Sequence, residues 1–254
     1  MVNGHFDFSY CALEDFLRRL AGLGDIFPFE SWQGQPGILL RHDLDLELEP
    51  ALRIAEIENR LGLRATFFVM TTAGTYNPSS PAGRRFIRAI QEAGGEIGLH
   101  FDPSLYGASD LKRLAACARQ EADLLADIAG RDIVSISLHN PSIAGEYPLF
   151  EGWRNAYDPR CFSKDRYLSD SRMRVAADPL AFFAGACEAT YQLLLHPLHY
   201  SATGDGYPAP MITFLKRMAQ EVAATFGVNS AFAASVEGGF LGKVAKAARD
   251  WRED

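Results

Sequence analysis

Four apolar runs in this sequence end on side chains that bind protons or metals. "GILLRHDLD" (37–45) ends on His42, Asp43 and Asp45, and "EIGLHFD" (96–102) ends on His100 and Asp102. "VSISLHN" (134–140) ends on His139 and Asn140, and "YQLLLHPLHY" (191–200) carries His196 and His199. Any one of these is what a strand running out into solvent produces; four together point to one shared site. Residues two apart on a strand project to the same side, so Asp43 and Asp45 stand side by side. Two neighbouring carboxylates in a partly dry cleft repel unless one keeps a proton or binds a cation. Imidazoles beside one of them complete a donor set suited to zinc, with iron, cobalt, manganese or nickel as alternatives. Such an ion lowers the pKa of its bound water from about 15.7 toward 7. The other carboxylate can take a proton from that water, and an unligated histidine opposite can protonate a leaving group. These residue types support metal-assisted hydrolysis of an amide or ester.

The four ends meet only if the elements carrying them run in the same direction. Strands are read at "GILLRHD", "RATFFVM", "EIGLH", "DIVSISLH" and "YQLLLHP". Between them fall helical segments such as "YCALEDFLRRLAGLG", "PAGRRFIRAIQEAGG", "DPLAFFAGACEA" and "PAPMITFLKRMAQEVAATFG". In "EPALRIAEIENRLG" the residues Ala51, Ile54, Ala55, Ile57 and Leu61 share one helical face. The long helix after "HFD" takes Ser109 as its N-cap. Continuous apolar strands alternating with helices imply a parallel sheet covered on both faces or closed into a barrel. All strand C-termini then lie on one side, where such folds keep their active sites. Residues 140–175 break the rhythm with Pro141, Pro148, Trp153, Tyr157, Pro159 and Tyr167, which reads as an ordered binding surface. The closing "GKVAKAARDWRED" reads as a docking helix, and residues 1–254 as a single domain.

The bulk numbers narrow the partners. A chain of 254 residues with 48% hydrophobic content can bury the core of one α/β barrel. A net charge of −7 argues against nucleic acid, whose phosphates need a basic surface. No apolar run approaches the roughly 20 residues of a membrane-spanning helix, and "MVNGHFDFSYCALEDF" lacks the pattern of a signal peptide. Cys11, Cys117, Cys161 and Cys187 are widely spaced, which reads as reduced core thiols. The expected compartment is the cytoplasm.

Across most of its length the sequence resembles the polysaccharide deacetylases of carbohydrate esterase family 4, the NodB-like group. The nearer likeness is to a bacterial branch associated with surface polysaccharides. The segments that carry it are "HFDFSYCALEDFL", "RHDLDLELEPALRIAEIENRLGLRATFFVM", "YNPSS", "GGEIGLHFD", "SLHNPS", "NAYDP", "YLSDS" and "LLLHP". The resemblance implies an α/β fold, a single distorted (β/α) barrel of about seven parallel strands, and a divalent metal. It also implies removal of an N- or O-acetyl group from a sugar or glycan. By the same resemblance Asp43 is the general base, Asp45 and His100 are metal ligands, and His196 is the general acid. Two departures stand out. The usual His-(Ser/Thr)-x-x-His motif becomes "HFDPS", with Ser104 at the second histidine's place, and the usual arginine motif becomes "LHNPS". His139, ending the neighbouring strand, is the expected third ligand, with Asp102 as its competitor.

Around this set, Arg41 either bonds a catalytic carboxylate or flanks the strand, and Asp170 either orients a site group or serves a turn. Asn140, Trp153 and Tyr157 are expected to contact the substrate or the site groups. His199 is assigned to the rim, and His42 is expected not to be a ligand, though close enough to stand behind the ligands. His5 is expected to have no ligand role. Two other functions fit the same residues: a catalytically silent carbohydrate-binding relative, and a hydrolase of a non-sugar amide. Retention of Asp43 and His196 favours the deacetylase. Neither the sugar nor the oligomeric state is written in these motifs.

Overall fold

Strand β2 (Gly37–Leu44) is the longest in the sheet and is buried along its whole length. It is preceded by β1 (Ile26–Phe27) and followed by β3 (Thr66–Val69), β4 (Glu96–Phe101), β5 (Ser135–Leu138), β6 (Arg154–Asn155), β7 (Tyr167–Ser169) and β8 (Thr190–Leu195). The computed structural model describes residues 6–107, 110–141, 147–173, 175, 178–206 and 208–229, with 231, 239, 242 and 243. Every ladder is parallel. Seven strands follow the order β6-β5-β4-β3-β2-β8-β7, and the sheet curls into a distorted (β/α) barrel. β1 flanks the first half of β2 (Ile26 opposite Ile38), leaving the second half to β3 (Arg41 opposite Thr66).

Helices α1 (Tyr10–Leu20), α2 (Glu49–Arg60), α3 (Pro81–Glu92) and α4 (Leu111–Ala129) link or flank these strands. Their ends follow from sequence: Ser9, Ser80 and Asp110 cap the N-termini of α1, α3 and α4, and Gly130, at φ 70°, ends α4. The expected cap Ser109 lies outside the described residues. The helix expected over "DPLAFFAGACEA" is a single turn, α5 (Pro179–Phe182), followed by turns closed by bonds such as Ala186 N–H to the Phe183 carbonyl. The tail "GKVAKAARDWRED" falls almost wholly outside the described residues. The unit Tyr207–Asp254 contributes one long described helix, α6 (Pro208–Gly227).

Period-two alternation sorts the strand side chains between barrel interior and helix layer. On β2, His42 faces outward: its Nε2 is 2.7 Å from Glu58 Oε1 on α2, and its ring stacks on Phe67. Arg41 faces inward, as do Glu96, Gly98 and His100 on β4 and Ser135 and Ser137 on β5. At the N-terminal end of the strands the buried Glu96 carboxylate accepts from Thr66 at 2.5 Å, from the Glu30 N–H at 2.9 Å and from Ser135. One layer up, Gly98 leaves room for the Phe68 ring, which a Cβ would approach to 2.6 Å. β6 and β7 share no ladder among the described residues. Tyr157 and Phe162, from the chain between them, pack in sequence with Tyr167 of β7, with ring centroids 4.9 and 5.0 Å apart.

Cys161 is buried and Cys117 half-buried, but Cys11 and Cys187 are exposed; all four are free thiols. The core role expected for the cysteines therefore fits Cys161 and not Cys11 or Cys187. Among the described residues no helix is long and apolar enough to cross a membrane.

Candidate active site

The C-terminal ends of β2, β4, β5 and β8 bring Asp43, Asp45, His100, His139 and His196 around one pocket of about 340 Å³. Its other walls include Asn140, Tyr147, Tyr157, Phe162 and Tyr167. Parallel strands in register explain the convergence. His100 follows Leu99, which pairs with Ile136, and the β5 chain runs on to His139, whose N–H bonds the Phe101 carbonyl at 2.8 Å.

Asp45, His100 and His139 form the tightest group. Asp45 Oδ1 lies 3.1 Å from His100 Nε2 and 3.3 Å from His139 Nδ1, and the two nitrogens are 3.2 Å apart. A tetrahedral ion with ligands at about 2.0–2.2 Å holds its donors roughly 3.3–3.6 Å apart, so these three atoms fit a divalent cation after a small expansion. Burial pushes the Asp45 carboxyl up, but hydrogen bonds from His100 and His139 and the nearby His196 outweigh it and hold it well below the usual carboxylate range. The hydrogen bond to Asp45 raises His139 against the opposing effect of its burial.

Further hydrogen bonds hold the two imidazole rings from behind. His100 Nδ1 lies 2.7 Å from Ser137 Oγ, leaving Nε2 directed at Asp45. His139 Nε2 lies 2.8 Å from the Asn140 side-chain amide. Turning that amide places its oxygen on an Nε2–H and frees the Nδ1 lone pair for a cation. Asn140 itself adopts a left-handed φ of 48°, which asparagine tolerates better than most residues.

Asp43 sits below this group and is almost fully buried, held from underneath. Arg41 Nη2 donates to Asp43 Oδ2 at 2.9 Å and to the Tyr157 hydroxyl at 2.9 Å, while Nη1 donates to Gln192 Oε1 at 3.0 Å. Arg41 thus bonds the carboxylate rather than flanking the strand, and Tyr157 joins the same network. His100 Nδ1 lies 3.9 Å from Asp43 Oδ2, so Asp43 stands behind the ligand group rather than within it.

Across the pocket, His196 Nε2 is 3.8 Å from Asp45 Oδ2. Its Nδ1 lies 2.6 Å from Oδ1 of Asp170, which is fully buried at the end of β7. Burial lowers the His196 pKa, yet the bond to Asp170 and the charges of Asp170, Asp45 and Asp43 prevail and raise it to about 9. Asp170 therefore bonds the His196 ring and does not merely serve a turn.

Several expected residues lie elsewhere. Asp102 caps a 3₁₀ turn by accepting from Ser104 N–H at 3.0 Å and is not among the residues lining the pocket. Trp153 does not line it either; its ring is covered by the Arg119 guanidinium at 4.4 Å. His42 faces α2, away from the pocket. His199 is 7% exposed and 3.2 Å from Asp170, so it is not a rim residue. His5 lies outside the described residues. Sequence reasoning also missed Ser137 and Gln192, although each sits two or more residues before a strand-end histidine on the inward face.

No family model and no curated protein matches the chain. Solved structures do. The chitin deacetylase of the fungal pathogen Colletotrichum lindemuthianum is 18% identical, with 77% of this chain and 87% of that chain covered at a TM-score of 0.45. The Xyl-CE4 domain of a multidomain xylanase from the hindgut metagenome of Trinervitermes trinervoides is 14% identical over 75% of this chain and 84% of its own, also at 0.45. BA3943, a CE4 family pseudoenzyme from Bacillus anthracis, is 13% identical at a TM-score of 0.42, with 74% of this chain covered. This chain spans 62% of the length of BA3943, under two thirds.

Proposed function

We propose that this chain is a metal-dependent deacetylase of the NodB-like carbohydrate esterase type, removing an acetyl group from a sugar or glycan. Support comes from the three ligand atoms of Asp45, His100 and His139, gathered between a carboxylate held by Arg41 and an imidazole held by Asp170. Asp45, His100 and His139 hold the divalent ion, zinc in the first instance. When bound, the ion supplies Lewis acidity and lowers the pKa of water.

The chain's own groups carry the proton transfers. Asp43, fixed by Arg41, takes a proton from the attacking water, and the guanidinium holds the carboxylate in place for that transfer. His196 gives the proton on Nε2 to the departing nitrogen or oxygen of the sugar, while Asp170 holds its Nδ1–H. Acetate and the free amine or alcohol are the products, with one water consumed. The aromatic wall of Tyr147, Tyr157, Phe162 and Tyr167 offers flat apolar faces against which a pyranose ring packs.

A silent carbohydrate-binding relative would need neither the Arg41–Asp43 nor the Asp170–His196 pair. Acetate release from acetylated sugars by metal-reconstituted protein tests the proposal, with loss on chelation and recovery on metal return. Metal-loaded protein that binds such sugars and releases no acetate would favour the silent relative instead.

A further inference from the structure

We infer that His199 is a positioning residue for proton donation, holding the Asp170 carboxylate so that His196 presents Nε2 to the site. This rests on the assignment of His196 as proton donor.

The sequence "HPLHY" places the second histidine three residues after the first. Pro197–His199 forms a 3₁₀ turn, closed by the His199 N–H on the His196 carbonyl at 2.9 Å. With three residues per turn, side chains three apart lie on the same side, so both imidazoles reach Asp170. Their ring centroids are 5.2 Å apart.

They face different oxygens of the carboxylate, His196 in hydrogen-bond geometry and His199 at ion-pair distance. His196 Nδ1 lies 2.6 Å from Oδ1, and His199 Nδ1 lies 3.2 Å from Oδ2. The His196 N–H also donates to both oxygens, at 3.1 and 3.0 Å. His199 is buried edge-on against Phe8, with centroids 6.0 Å apart, so its ring is not free to swing. Without its imidazole the carboxylate keeps His196 and the buried Tyr200 hydroxyl beside it but loses the ring that faces Oδ2, and His196 and Asp170 can tilt together. A donor displaced by about 1 Å can lose up to 10²-fold in rate.

The test uses full-length, metal-loaded protein with phenyl acetate and 4-nitrophenyl acetate, esters whose leaving groups differ in their need for a proton. His199→Phe should slow phenyl acetate turnover about 10-fold and 4-nitrophenyl acetate less than about 2-fold, with bound metal unchanged. His199→Asn, whose amide nitrogen falls near the Nδ1 position, should restore most of the difference. Equal losses on both esters, or no rescue by asparagine, would overturn the inference. His196→Ala serves as control: if it shows no dependence on the leaving group, the proton-donor assignment falls and this inference with it. A readout independent of turnover is the His196 Nδ1–H resonance in protein labelled with nitrogen-15 histidine, identified by its loss in His196→Ala. It should be sharp in wild type and His199→Asn and exchange-broadened in His199→Phe. An unchanged resonance in His199→Phe would overturn the inference whatever the rates.

Discussion

At the scale of single residues, two carboxylates of one strand end have separate surroundings. Asp45 is partly open to the pocket and meets two imidazoles; Asp43 is almost fully buried and meets a guanidinium. Asp43→Asn should therefore keep the metal while lowering turnover by roughly 10²–10⁴. Asp45→Asn should lose it, and metal content with parallel rates on the two variants checks the split. Ser137 is hydrogen-bonded to His100 Nδ1, on the far side of the ring from Asp45. Ser137→Ala should weaken metal affinity by roughly 10–100-fold, as measured by competition with a chelator. Unchanged affinity would mean that strand geometry alone orients His100. Strand-end position pointed to Asp43, Asp45, His100, His139 and His196, which the structure brings around one pocket. It misplaced His199, because Pro197 ends the strand and the 3₁₀ turn brings the next histidine back. His42, not expected as a ligand, points the other way because alternation puts the residue between Arg41 and Asp43 on the opposite face.

At the scale of elements, the five long strands were legible because each is a continuous apolar run of the kind a covered parallel sheet needs. β1, β6 and β7 are two or three residues long and carry no period to read. They are strands only because a neighbour's edge was left open. The aromatic segment after β6 was legible as ordered, but not as rings that pack in sequence with Tyr167 of β7. Gly98 shows how tightly the interior is built under the site. Its backbone faces the Phe68 ring, so Gly98→Ala should cost about 1–3 kcal/mol in urea unfolding. Adding Phe68→Leu should recover part of that loss. If the double variant is as unstable as the sum of the two singles, Gly98 is needed for some reason other than this contact.

At the scale of the whole molecule, the barrel carries ionisable groups at both ends, and the end away from the site can be probed without metal. Burial raises the Glu96 pKa above its ordinary 4.5, and its hydrogen bonds from Ser135, Thr66 and the Glu30 N–H do not cancel that effect. The folded protein thus keeps this proton to a higher pH than the unfolded chain. The stability it contributes is complete below about pH 4.5 and is lost as pH rises through the folded pKa. Denaturant unfolding should show wild type losing stability relative to Glu96→Gln over that rise, and a difference that stays flat with pH would contradict the assignment. The central claim is that Asp45, His100 and His139 form the metal site. An anomalous-difference map from crystals of zinc-loaded protein tests it directly. One peak about 2.0–2.2 Å from Asp45, His100 Nε2 and His139 Nδ1, with Asp43 and His196 unligated, is the expected result. A peak bonded to Asp102 with His139 out of reach, or no peak at this pocket, would contradict it.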